Sequence, residues 1–119
     1  MNQQMRRSAP GLRIAMLSIH SSPVGPLGTR DTGGMSVFVR ELSRHLGHYG
    51  HQVDIFTYDH GDDQFLFPNV KLIHLAPQSA RLPGKEALPA HLPEVFGALE
   101  ANRQSRRQSY DLIHSHYWL

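Results

Sequence analysis

The residues best suited to chemistry lie in the run Gly28-Thr29-Arg30-Asp31-Thr32-Gly33-Gly34-Met35-Ser36. A glycine pair lets the backbone turn tightly and brings its N–H groups close to whatever lies beside them. A helix opening at that point adds unpaired amides and a partial positive charge, which suits a phosphate. Two readings of Gly33 and Gly34 stand: a phosphate cradle, or a tight turn with Thr32 as the N-cap. The spacing is neither Gly-x-Gly-x-x-Gly nor a Walker pattern, since Met35 and Ser36 follow Gly34 instead of Lys and Ser/Thr. Gly-x-Ser-x-Gly and His-Glu-x-x-His are absent as well. The loop therefore belongs to another class of phosphate or sugar site.

Other chemistry-bearing residues are weaker. Asp62 and Asp63 are neighbouring carboxylates in a loop, read as solvated and not as a divalent-cation site. His114 and His116 flank Ser115 and supply half a metal site, so core or surface roles are preferred. Lys85, beside Gly84, is a surface charge or a phosphate contact. Arg103, Arg106 and Arg107 are the one basic cluster of note and read as a solvated helix face. No metal and no cofactor is expected.

The elements that must position the glycine loop follow from periodicity. Arg13 to Ser18 reads as a strand apolar on both faces, as a central parallel strand would be. His20 to Thr32, rich in proline and glycine, is a long loop. Met35, Phe38, Val39, Leu42 and Leu46 recur at i, i+3, i+4, i+7 and i+11, predicting a helix from about Gly34 to Tyr49. Gly50 stands where a left-handed C-terminal glycine belongs. Val53 to Tyr58 is the second strand, completing a βαβ unit. Asp59 to Pro68 reads as a polar turn region, Val70 to Leu75 as a third strand, and Ala76 to Gly84 as a loop. A second helix carries Leu88, Leu92, Val95, Phe96 and Leu99 and runs to about Arg107, its regular part starting near Pro93. Asp111 to His114 is a short fourth strand. The fold class expected is α/β, a Rossmann-like parallel sheet of about four strands with flanking helices.

At 119 residues the chain is one domain or part of one. Residues 1–11 are polar and basic and lack an apolar segment, so they are expected to form a flexible tail and not a signal peptide. Residues 12–119 form the folded part. A formal charge of +2 gives no argument for nucleic acid, and no apolar run approaches the roughly 18 residues of a membrane span. The absence of cysteine fits a cytoplasmic location. Leu119 closes an apolar, aromatic run without a stop signal, as in a chain cut short. An exposed apolar edge from Tyr110 to Leu119, and self-association through it, is the expectation.

Several segments together resemble a known family. Arg13-Ile14-Ala15-Met16-Leu17-Ser18-Ile19-His20, Asp31-Thr32-Gly33-Gly34-Met35-Ser36-Val37-Phe38 and Gly50-His51-Gln52-Val53-Asp54-Ile55-Phe56-Thr57 resemble the start of a retaining GT-B glycosyltransferase of family 4. The closing Tyr110-Asp111-Leu112-Ile113-His114-Ser115-His116-Tyr117-Trp118-Leu119 is similar to the subgroup that contains sucrose-phosphate synthases and D-inositol-3-phosphate glycosyltransferases. The resemblance implies a two-domain enzyme that moves a glycosyl group, with retention, from a nucleotide-sugar to a phosphorylated sugar or cyclitol. This chain matches only part of its N-terminal, acceptor-binding half, so the fragment alone is expected to be inactive.

By the same resemblance, Gly33 and Gly34 approach the donor diphosphate and His20 lies near the reacting sugars as the catalytic residue. Asp31, Ser36, Lys85 and Tyr117 fall on the acceptor side. Lys85 and Tyr117 suit a phosphomonoester, one as a point charge and the other as a directed donor. Ser36 departs from the asparagine of the inositol-phosphate enzymes; its shorter hydroxyl cannot reach as far, which counts against inositol phosphate as acceptor and leaves sugar phosphates in general open. The competing reading is a stand-alone α/β module that binds a phosphate or sugar without catalysis.

Overall fold

A computed structural model describes residues 11–19, 34–79, 81–82 and 88–115, without the side chains of residues 34–36 and 88. Five strands and two helices follow in the order β1 (Arg13–Leu17), α1 (Gly34–His48), β2 (Gln52–Thr57), β3 (Gln64–Phe67), β4 (Val70–His74), α2 (Leu88–Ser105) and β5 (Leu112–Ser115). They build one sheet of order β3-β4-β2-β1-β5. All pairings are parallel except β3 with β4. The α/β, Rossmann-like architecture expected from periodicity is present, with a fifth strand beyond the expected four.

That extra strand corrects the polar turn expected over Asp59 to Pro68. Gln64-Phe65-Leu66-Phe67 has no alternation to reveal it, and Phe65 remains 68% exposed. It forms because Pro68 and Asn69 make a tight reversal, with Asn69 at φ 68°. Asparagine is among the few residues that adopt this left-handed conformation readily. A bulge between Phe65 and Phe67 ends the regular pairing.

Side chains on β1, β2 and β4 alternate between two helices. Ile14, Met16, Val53, Ile55, Val70 and Leu72 pack with Val39 of α1 on one face. Ala15, Leu17, Phe56, Ile73 and Leu75 pack with Val95 of α2 on the other. In-register pairing (Ile14 beside Val53, Val53 beside Val70) keeps each set together. Leu42 and Leu46 of α1 join the buried stripe as expected, whereas Phe38 is 54% exposed.

Both helices end in the same way. At α1, the Gly50 N–H donates to Gly47 O and the His51 N–H to Leu46 O, with Gly50 at φ 95°. This is a Schellman closure on the expected glycine. At α2 the Arg107 and Gln108 N–H groups donate to Gln104 and Arg103 carbonyls, and Arg107 takes φ 52° without being glycine. The other end of α2 corrects the sequence reading. The helix starts at Leu88, five residues before Pro93, so Pro93 lies inside it. Proline lacks the N–H that would bond to the Pro89 carbonyl, and that one missing bond is tolerated.

Two glycines make opposite predictions. A Cβ on Gly47 would lie 2.7 Å from Val70 Cγ2 and 2.9 Å from the Pro68 carbonyl, because α1 rests directly on the β3–β4 reversal. A Cβ on Gly97, at an exposed position of α2, would have nothing within 4 Å. Equilibrium urea unfolding is expected to show Gly47→Ala destabilised by about 1–3 kcal/mol through overpacking. Gly97→Ala should gain about 0.5–1 kcal/mol from helix propensity.

Candidate functional site

Strand order reverses at β1: β2 and then β4 extend to one side, and β5 pairs on the other. In open parallel sheets ligands bind outside the carboxyl ends of the strands at such a point. Here the ends are Leu17 and Ser115, in register with each other. Beyond Leu17, β1 stays beside β2, since the Ser18 N–H donates to Phe56 O and the Tyr58 N–H to Ile19 O.

The helix directions follow from their other ends. The C-terminus of α1 lies at the amino edge of the sheet, where the Leu12 N–H donates to His51 Nδ1 at 3.0 Å and the Gln52 N–H to Leu12 O. At about 1.5 Å per residue, its 15 residues carry Gly34 back toward the carboxyl edge. The C-terminus of α2 is likewise fixed at the amino edge, through Arg106 and Tyr110 to Asp54. Both helix N-termini therefore point toward the carboxyl edge. Neither has an acidic residue in its first turn to neutralise its partial positive charge.

The residues that the resemblance assigns to the site fall, in sequence, next to element ends at this edge. Gly34 opens α1. Ser36 lies in the first turn of α1, with its side chain outside the described residues. His20, Asp31 and Gly33 fall in the stretch between β1 and α1, Lys85 in that between β4 and α2, and Tyr117 after β5; these five lie outside the described residues. The structure brings together the element ends that flank them.

The weaker candidates resolve differently. The Asp63 carboxylate accepts the His74 backbone N–H at 2.9 Å, a structural use. Among the described residues there is no group of three or more His, Asp or Glu side chains able to hold a metal. The arginine cluster is not simply a solvated face. Arg103 pairs with Glu100 and donates to the Gln108 carbonyl, and Arg106 is a half-buried partner of Asp54.

That last contact belongs to a cluster which sequence reasoning missed. The Tyr110 hydroxyl donates to Asp54 Oδ2 at 2.5 Å, and Arg106 Nη2 donates to Tyr110 Oη at 2.7 Å and to Asp54 Oδ2 at 3.3 Å. The Arg106 guanidinium also lies 6.0 Å from the Phe56 ring centroid, and Tyr110 meets that ring edge-on. The available signal was Asp54 itself, a lone carboxylate in the apolar run Val53 to Phe56, which needs a partner when buried. The cluster is centred on Asp54, in register with Ala15 at the middle of β1, and reaches Phe56, in register with Leu17.

Burial, and then the Asp54 carboxylate, push the Tyr110 hydroxyl well above its usual range. A phenol with a raised folded-state pKa contributes stability that is complete below the unfolded value of about 10 and is lost as pH rises beyond it. Denaturation midpoints at about pH 8 and about pH 11 should therefore fall further for the unaltered protein than for Tyr110→Phe. An equal fall would show that Tyr110 is not the group responsible.

Comparison with known proteins adds to this geometry. Residues 33–119 match the glycosyl transferase 4-like domain. The chain is 39% identical over 116 residues to a D-inositol 3-phosphate glycosyltransferase of Corynebacterium kroppenstedtii, covering 94% of this chain and 26% of that protein. It is 41% identical over 118 residues to the protein of the same name from Geodermatophilus obscurus, covering 95% and 26%. Among solved structures, sucrose-phosphate synthase from Thermosynechococcus elongatus superposes with a TM-score of 0.79 at 30% identity, covering 90% of this chain and 27% of that one. The chain thus spans about a quarter of the length of the relatives it matches. No helix among the described residues is long and apolar enough to cross a membrane.

Proposed function

The chain belongs to the glycosyl transferase 4-like family, and on that premise we propose that the natural protein moves a glycosyl group from a nucleotide-sugar to a phosphorylated sugar or cyclitol, with retention. The observation that carries the proposal is the switch point between β1 and β5, with the N-terminus of α1 directed to the same edge. Backbone amides at Gly33 and Gly34 would stabilise the diphosphate as it leaves, where negative charge develops. His20, three residues past the end of β1, would act at the reacting sugars. Asp31, Ser36, Lys85 and Tyr117 would hold the acceptor, with the lysine and tyrosine on its phosphate.

The names of the relatives support a phosphorylated acceptor of this kind, and the serine at position 36 favours a sugar phosphate over inositol phosphate. These 119 residues supply the acceptor-side part of the cleft, so alone they should release no nucleotide. The isolated chain should also self-associate, since Leu112 and Ile113 on β5 are 49% and 64% exposed. A monomeric sedimentation profile at high concentration would remove that expectation.

The central test incubates the full natural chain with nucleotide-sugars and sugar phosphates, separately and together, and follows nucleoside diphosphate release. Release that requires both substrates is expected. Binding without release would favour a non-catalytic module. Gly34→Val should abolish donor binding while leaving the fold intact; lost folding would assign the glycines to the turn alone.

A further inference from the structure

Among the described residues, burial holds β1, β2 and β4 but not β5. Leu112 and Ile113 alternate across the sheet, beside Ile14 and Ala15, and both are exposed. A strand without a buried face has a weakly specified register, and a slip of one residue would exchange the faces of His114 and Ser115.

The residues just before β5 are fixed by polar contacts instead. The Asp111 N–H donates to Arg13 O at 2.8 Å, and Asp111 Oδ2 accepts the Arg13 N–H at 2.8 Å. One residue earlier, Tyr110 is tied to Asp54 directly and through Arg106. Arg106 is itself oriented by Asn102, whose Oδ1 accepts its Nε–H at 2.8 Å. Consecutive residues are thus anchored to two different strands, the first to β2 and the second to β1. A slipped β5 would have to break both anchors.

We infer that Asp54, Arg106, Tyr110 and Asp111 form a register clamp that positions the carboxyl end of β5 at the β1–β5 switch point. The clamp acts along about 13 Å of strand, so its members are positioning residues. That it serves the acceptor rests on the transferase reading above.

Amide hydrogen exchange on the full natural chain tests the clamp without any reference to activity. In Tyr110→Phe, which keeps the ring against Phe56, and in Asp111→Ala, the β5 amides should exchange about tenfold faster. Amides of β2 and β4 should be unchanged. A uniform rise across β2, β4 and β5, or unaltered β5 exchange, overturns the clamp. Should one variant fail to fold, the other decides by the same criterion. In an active protein, the acceptor KM should rise severalfold in both variants while the donor KM stays fixed; selective exchange with an unmoved acceptor KM overturns the positioning role. Selective exchange in a protein that transfers nothing leaves the clamp standing and removes the transferase reading. Uniform exchange in an active protein does the reverse.

Discussion

Strand β1 is hydrogen-bonded on both edges and buried on both faces, and the remaining architecture depends on it. Its register with β2 sets Ile14 and Met16 beside Val53 and Ile55 under α1, and Ala15 and Leu17 on the side of α2. A parallel strand in this position has no polar face to offer solvent, so each neighbour must arrive by a crossover with its own cover. Because β2 and β5 lie on opposite sides of β1, their crossovers place helices on opposite faces. The switch point between β1 and β5 is a direct consequence.

The two halves of the sheet are stabilised by different physics. From β1 through β4 the core is apolar and closely packed, to the point that α1 needs glycine at 47 to rest on the β3–β4 reversal. Asn69 serves both purposes there: its backbone accepts the left-handed turn, and its amide donates to the Gly47 carbonyl at 3.1 Å. Across β1, among the described residues, Leu112 and Ile113 of β5 are exposed and polar contacts fix the start of the strand. Asp54 is expensive in an otherwise apolar strand unless its charge is satisfied, and Tyr110 and Arg106 satisfy it. The cost of burying one carboxylate thereby becomes a constraint on where the next strand must start.

Much of this was legible in the sequence, for identifiable reasons. The first two strands and α1 are announced by strong apolar periodicity, and Gly50 marks the helix end because its left-handed φ excludes most other residues. The elements that were misread lack those signals. β3 is four residues long and partly exposed, and is defined by its partner β4, which lies beyond a local window. The start of α2 was misjudged because Pro93 looks like a first-turn proline, and Pro89 fills that place instead. The arginine triplet looked uniform, yet only the fold distinguishes Arg106, folded back over Phe56, from exposed Arg107. As for the site, spacing alone could suggest a phosphate near the glycine pair. The convergence of its flanking segments on one edge is a property of topology, which single residues do not encode.

The separation of these two edges has a physical logic. Segments that border a ligand site are commonly drawn from the less stable parts of a structure. Their starting points must nonetheless be exact to within a fraction of a residue, since a strand displaced by one position reverses its side chains. Anchoring ahead of β5 meets both needs, because it fixes register without occupying the carboxyl edge, where open parallel sheets hold their ligands. β1 is held by His51 and Asp111, and β5 by Tyr110 and Asp111, so one short set of polar contacts aligns both strands of the switch point. The carboxyl edge is then free to be shaped by its loops.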